Sequence, residues 1–355
     1  MIRKLMIQVA SVFFCFVAAV IADAKTPDSR LKSYKIFVIL DTVDEWSAGV
    51  RDGFIATMNK KLAAKGIKAE YTSFNTQINT SYLPEILKAI EDGNPDLICT
   101  INYPSAFADN NIAKRFKDPI YRFVSMNPIP VETGLIQSWE KPGGNITGVS
   151  VFLQQNSALR LMKKIDPRVR KMVFVSWDAM TEVNAWYERE LRRACREERI
   201  ELVDFIRVSC IEDEYEIFKK YDSMGPEYFA MEGITAFVHR DGTPANANIE
   251  MPEFIRKNIK RLQFVTFDET SIKTCVIGGV CVIWYDIGAQ LAEKGAMILD
   301  GKNPGDMPWD YPRKYNILLN IKKAKDSGIR IPLDLINAAY RVYTDYNGSF
   351  AGKGK

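Results

Sequence analysis

Apolar runs of two kinds alternate along the chain. Residues 34–40 form a short β-rich run, residues 46–62 place apolar side chains at helical spacing, and Gly66 stops that helix. Residues 67–74 read as a second strand and 83–91 as a helix. A third strand at 97–101 follows the Gly-Asn-Pro turn of 93–95. Another strand, 121–125, ends at a segment holding Pro128 and Pro130. This βαβαβ order predicts a mainly parallel sheet covered by helices.

The pattern restarts after the turn-rich Lys141-Pro142-Gly143-Gly144-Asn145. A helix is expected around 159–164, a strand at 171–176, a long amphipathic helix at 182–199 and a strand at 200–208. A charged helix at 212–221 precedes a strand at 234–238, a helix at 252–259 and a strand at 262–267. The last third alternates again: strand 275–283, helix 286–299, a Gly-Lys-Asn-Pro-Gly turn at 301–305, strand 315–320 and helix 321–327, capped by Gly328. Two successive α/β units of similar size account for most of the chain. In that architecture a small ligand binds in the cleft between the units, beside the carboxyl ends of the strands.

Composition narrows the chemistry. With 355 residues, 47% hydrophobic and 26% charged, the chain is an ordinary folded protein of about two domains. A single histidine, His239, excludes a two-histidine metal site and any longer imidazole relay. Residues 1–24 read as a signal peptide: Arg3 and Lys4 precede an apolar stretch, and Ala22-Asp23-Ala24 is an A-x-A cleavage site. The alternative is an uncleaved anchor, since the stretch approaches bilayer-spanning length. Cleavage would start the mature chain near Lys25 and lower its net charge from +4 to about +3, too little to imply a nucleic-acid partner.

Five cysteines follow the signal segment, and buried free thiols are the expectation for most of them. Neither a G-x-G-x-x-G nor a G-x-x-x-x-G-K-[ST] motif is present, so nucleotide binding lacks its hallmarks. Cys99 and His239 are the one pair that would suggest a thiol–imidazole enzyme, against the commoner reading of Cys99 as a structural thiol inside a strand. No cofactor and no metal are called for.

Pro142-Gly143-Gly144-Asn145-Ile146-Thr147-Gly148-Val149-Ser150 resembles the interdomain signature of the solute-binding proteins of bacterial ABC transporters, the family with tryptophan- and other aromatic-amino-acid-binding members. Asp286-Ile287-Gly288 with Ala292, Ile298-Leu299-Asp300-Gly301 and Pro304-Gly305-Asp306-Met307-Pro308 resemble its carboxyl-terminal helix and turn. Tyr311-Pro312-Arg313-Lys314-Tyr315, Leu319-Asn320-Ile321-Lys322-Lys323 and Gly328-Ile329-Arg330-Ile331-Pro332 resemble its closing segment, so the likeness spans about 34–343.

The resemblance implies an α/β type I periplasmic binding protein: two doubly wound parallel-sheet lobes with three interdomain crossings. Lobe one would hold 34–140 plus 268–302, lobe two 141–267 plus 303–345, and 346–355 would be a tail. It further implies a non-enzymatic, monomeric, periplasmic receptor that passes a small solute to an ABC permease. A sensory module of the same fold and an exported enzyme are the alternatives.

Carried onto this sequence, the family's post-strand ligand loops select Asp41, Trp46, Thr100, Asn102, Tyr103 and Asn127 in the first lobe. Trp177 and His239 lie across the cleft, with Asp268 and Tyr285 on the returning chain. An aromatic wall with a few hydrogen-bonding groups suits a small, partly apolar or zwitterionic ligand, Asp268 meeting an ammonium and Thr100 or Asn102 a carboxylate. The competing reading makes Trp46 and Trp177 packing residues, Asn102 and Asn127 turn formers and Asp41 a helix cap. His239-Arg240-Asp241-Gly242 stands where relatives carry a Thr-Asp-Asn type of segment; with Arg240 in the cleft, an anionic ligand would gain.

Overall fold

The computed structural model describes residues 32–102 and 106–351. Its first sheet has five parallel strands, β1 (Ser33–Leu40), β2 (Lys68–Asn75), β3 (Leu97–Ile101), β4 (Phe123–Met126) and β5 (Ile146–Val149), in the order β2-β1-β3-β4-β5. β3, β4 and β5 are buried along their whole length, as strands covered by helices on both faces must be. The strand order reverses between β1 and β3, which opens a crevice at the ends of those two strands. Helices α1 (Glu45–Ala63) and α2 (Leu83–Gly93) belong to this lobe.

The second sheet contains β6 (Lys171–Trp177), β7 (Glu201–Val208), β8 (Tyr228–Glu232), β9 (Gln263–Thr266), β10 (Gly278–Val282), β11 (Tyr315–Asn320), β12 (Arg341–Tyr343) and β13 (Phe350–Ala351). Their order is β13-β12-β11-β10-β9-β8-β6-β7. Pairing is parallel from β7 through β10, and β11 enters antiparallel to β10. The helices in chain order are α3 (Asn156–Ile165), α4 (Thr181–Glu198), α5 (Ile211–Asp222), α6 (Ala247–Asn258), α7 (Glu269–Thr274), α8 (Trp284–Leu299), α9 (Ile321–Asp326) and α10 (Leu333–Ala338).

Three passages of the chain join the two sheets: β5 to α3, β10 to α8, and the segment that follows α8 into β11. The first and third run side by side. Ser150 N–H donates to the Asp310 carbonyl at 2.8 Å and Asp310 N–H to the Gly148 carbonyl at 3.1 Å. On re-entering the first lobe, α8 packs on α1 with almost no space between backbones. A Cβ at Gly288 would lie 1.9 Å from the Val50 carbonyl oxygen, and one at Gly53 would lie 2.0 Å from that of Tyr285. Glycine at these positions therefore sets the depth of the helix crossing.

Sheet membership departs from the expected lobe borders in two places. β5, expected in lobe two, is the edge strand of the first sheet, because the Gly-Gly-Asn turn before it is anchored there: Asn145 Nδ2 donates to the carbonyls of Phe116 and Tyr121 at 2.6 and 2.7 Å. β10, expected in lobe one, sits between β9 and β11 in the second sheet, where Gly279 lets the Thr266 backbone approach. A strand expected at 234–238 is displaced to β8, a buried run whose position between β6 and β9 rewards burial over β propensity. The expected tail is also ordered as far as β13, which pairs with β12.

Replacing Gly288 by alanine should destabilise the protein by about 3 kcal/mol, since both colliding groups are backbone and neither can yield. Urea unfolding of the variant against the parent measures this; an unchanged midpoint would mean that α8 can lift from α1.

Candidate functional site

Two buried carboxyl groups organise the strand ends of the first lobe. Asp41 follows β1 and is fully buried; its carboxylate accepts from Ala108 N–H at 2.9 Å, Phe107 N–H at 3.0 Å and the Thr76 hydroxyl at 3.2 Å. Asp109, also fully buried, accepts from the hydroxyls of Thr100 and Ser125, each at 2.6 Å, and from Asn127 Nδ2 at 2.8 Å. Asn102 completes the cluster, accepting from Asp109 N–H at 2.9 Å and donating to Ser125 Oγ at 3.2 Å. Burial pushes the Asp41 carboxyl up to about 7 against its bonds to Ala108 and Phe107, and burial raises Asp109 as well.

The aromatic part of this wall comes from two helix starts. Asp44 caps α1 through Ser47 N–H at 3.0 Å, which places Trp46 in its first turn, and the glycine crossing brings the first turn of α8 alongside. The rings of Trp46 and Trp284 lie 5.9 Å apart, both half-buried, with Tyr285 exposed next to them.

In the second lobe the strand ends are acidic. Glu232 closes β8 and accepts from the Thr235 hydroxyl at 2.9 Å, while the fully buried Glu214 accepts from Ala236 N–H at 2.7 Å. Burial raises both carboxyl groups, and the charge of Glu232 raises Glu214 further. Asp268, exposed at the end of β9, caps α7 through Ser271 N–H at 2.7 Å and adds to the field on Glu232. Trp177 ends β6 half-buried, its ring 6.1 Å from that of Phe237.

With this geometry in view, comparison with known proteins is decisive. A sequence profile of the family described as ABC transporter substrate binding protein matches residues 36–343. The chain belongs to this family. A tyrosine-binding protein of Clostridioides difficile (strain R20291) is 24% identical over 274 residues, covering 76% of this chain and 74% of that protein. Three solved structures share the fold over 88% of this chain. The ligand-free, open form of a substrate-binding protein with adhesive properties from Clostridium difficile has a TM-score of 0.68 at 18% identity over 99% of that chain. A conserved domain protein from Vibrio cholerae has 0.64 at 20%, and an ABC domain in complex with L-Trp from Streptococcus pneumonia has 0.63 at 18%, each over its full length.

The fold is thus that of type I periplasmic binding proteins, and the substrate-binding protein works by holding a small solute for an ABC permease. Such proteins act outside the cytoplasm. Among the described residues no helix is long and apolar enough to cross a membrane. The signal-peptide segment, 1–24, and Tyr103 lie outside the described residues.

The sequence-selected residues fall into two groups. Asp41, Thr100, Asn102 and Asn127 are fully buried and committed to protein hydrogen bonds, so they shape the wall from behind. Trp46, Trp177, Asp268 and Tyr285 keep surface at the strand ends. His239 is held by Glu212 at 2.7 Å and approaches Glu250 at 3.4 Å, and its hydrogen bond to the Glu212 carboxylate raises its pKa. Arg240 is turned onto Asp213 at 2.7 Å and Glu216 at 3.0 Å, away from any role as an anion fork. Cys99 is buried inside β3, which drives its thiol pKa up, so no thiol–imidazole pair is assembled with His239. All five described cysteines are free and buried.

Three residues of this substrate-binding protein escaped the sequence reading. Trp284 immediately precedes the selected Tyr285, and the rule that picks post-strand residues would have found it. Glu232 was hidden by the misplaced β8. Glu214, in the middle of a charged helix, offered no signal in the sequence.

Asp41 and Asp109 both have raised pKa values in the folded state, so each binds its proton more tightly there than in the unfolded chain. Their contribution to stability is fully present below the ordinary aspartate value of 3.8 and is lost as pH rises, through about 7 for Asp41. The gain in urea midpoint on going from pH 8 to pH 5 should therefore be smaller in Asp41→Asn than in the parent. Equal gains in the two proteins would remove Asp41 as a source.

Proposed function

We propose that this substrate-binding protein captures an aromatic α-amino acid, or a closely related zwitterion, in the cleft between its lobes. One observation carries the reading: the Trp46–Trp284 ring pair at the strand ends of the first lobe is complemented by carboxyl groups, Glu232 and Asp268, at those of the second. The rings offer flat apolar surface and a carboxylate offers an ammonium group its counter-charge. The names of two relatives, one tyrosine-binding and one holding L-Trp, support the same ligand class.

Trp46, Trp177, Asp268 and Tyr285 are the contacts we retain from the sequence reading, with Trp284 and Glu232 added. Asp41, Thr100, Asn102 and Asn127 act as positioning groups behind them. The protein is a monomer without enzymatic activity, exported to the periplasm with cleavage after residue 24. Contacts made to both walls favour the closed form, which the permease receives.

Isothermal titration of the mature protein with L-tyrosine and L-tryptophan, with native mass spectrometry to identify any retained molecule, tests the reading. Trp46→Ala and Trp284→Ala should each weaken binding about tenfold, or about 1.4 kcal/mol. Binding of neither amino acid, or full affinity in both variants, would overturn it.

A further inference from the structure

Away from the strand-end residues lies a cavity of about 510 Å³ walled by three parts of the molecule. The chain between β4 and β5 contributes Val131 and residues 137–140, α4 contributes Arg189 and Glu190, and the third crossing contributes Pro308, Trp309 and Tyr311. The rings of Trp139 and Tyr311 lie 4.5 Å apart, tilted by 34°. Arg189 pairs with Glu132, the neighbour of the lining residue Val131, and with Glu190 at 3.3 Å on its own helix.

Two buried polar atoms, one in a lining residue and one in Glu132 beside the lining residue Val131, have no hydrogen-bond partner among the described residues. One is a donor, the indole N–H of Trp309, in a residue only 3% exposed; the other is an acceptor, the second carboxylate oxygen of Glu132. A buried donor or acceptor left unmet is destabilising, so each is a place where a bound polar group gains. Burial raises the Tyr311 hydroxyl to about 12, and Glu190, Arg193, Arg189 and Glu132 all act on it, so the ring edge and the ion pairs share one electrostatic neighbourhood.

We propose that this hinge-side cavity is a second small-molecule site, and that it takes a zwitterion with a flat apolar body. The carboxylate of such a ligand answers the Trp309 N–H and the Arg189 guanidinium. Its ammonium answers the free oxygen of Glu132, and its flat part lies against Trp139 and Tyr311. The space suits a molecule of amino-acid size. Because Arg189 moves with one lobe and Trp139 with the other, an occupant couples to the angle between them. The inference rests on this cavity alone and is independent of the assignment of the interlobe cleft.

The test is isothermal titration of the full mature protein with L-tryptophan, in the parent, in Trp284→Ala, and in Trp139→Ala and Glu132→Gln, with each variant's thermal unfolding recorded to confirm folding. Glu132→Gln is nearly isosteric and guards against a misfolded Trp139→Ala. The expected result is a saturable binding event that survives Trp284→Ala and weakens at least tenfold in both Trp139→Ala and Glu132→Gln. A single event lost in Trp284→Ala and untouched by the other two variants would overturn the hinge site while leaving the cleft reading intact. The reverse pattern would support the hinge site and overturn the cleft. No saturable binding in any of the four proteins would overturn the hinge site.

Discussion

Everything at the first lobe's edge depends on satisfying two buried carboxyl groups. A carboxylate without partners inside a protein is expensive enough that the fold must surround it with donors or leave it protonated. Asp109 gathers Thr100 from β3 and Ser125 and Asn127 from the end of β4, and Asp41 collects the backbone N–H groups of Phe107 and Ala108. The loops are tied to one another from beneath. In the proposed cleft, what those knots support is the ring pair of Trp46 and Trp284.

The second lobe reaches the same end by different chemistry. Its strand ends carry the carboxyl groups of Glu232 and Asp268, while His239 and Arg240 are drawn to Glu212, Asp213 and Glu216 on α5. Glu214 and Glu232 instead hold the turn at Thr235 and Ala236, and the charge of Glu232 raises the cost of charging Glu214. One wall is therefore aromatic over a neutralised polar base, and the other is acidic. A ligand with a flat apolar part and an ammonium group meets complementary chemistry on both sides, whereas an anionic ligand would lose on the second.

Much of the fold was legible because parallel strands buried on both faces announce themselves as short apolar runs, and the helices between them keep their period. The failures have physical causes. Residues 234–238 have better β-forming side chains than Tyr228–Glu232, yet only the latter run lies where both faces are covered. The strand expected at 275–283 is present as β10, but its own residues do not show which sheet it joins; glycine at 278 and 279 admits it between β9 and β11. At the site, short polar residues after strands were correctly located but serve a need that sequence does not display: hydrogen-bond partners for Asp109, itself in a short helical turn remote from any strand-end motif. Residue type and position show that a polar group sits at the wall. They do not show whether its partner is a ligand or a neighbouring loop.

The hinge can be located by asking which lobe holds each crossing. Lys294, almost fully buried on α8, donates to the Pro308 carbonyl at 2.5 Å and pairs with Asp310 at 3.0 Å; burial lowers its pKa and Asp310 opposes that shift. Arg313 binds Gln290 and Glu293 of the same helix, and Lys314 reaches Asp286. Since α8 rides on α1, the third crossing belongs mechanically to the first lobe as far as Lys314. In the first crossing, Ser150 is bonded to Asp310, but the Phe152 ring packs 4.5 Å from Trp186 of α4 and moves with the second lobe. In the first and third crossings the contacts pass from one lobe to the other near 151 and 314. A rotation there would leave the Trp46–Trp284 wall undisturbed and swing the acidic strand ends, together with Arg189, against the first lobe. A receptor built this way can close on its solute without reorganising the buried carboxyl network beneath the aromatic wall.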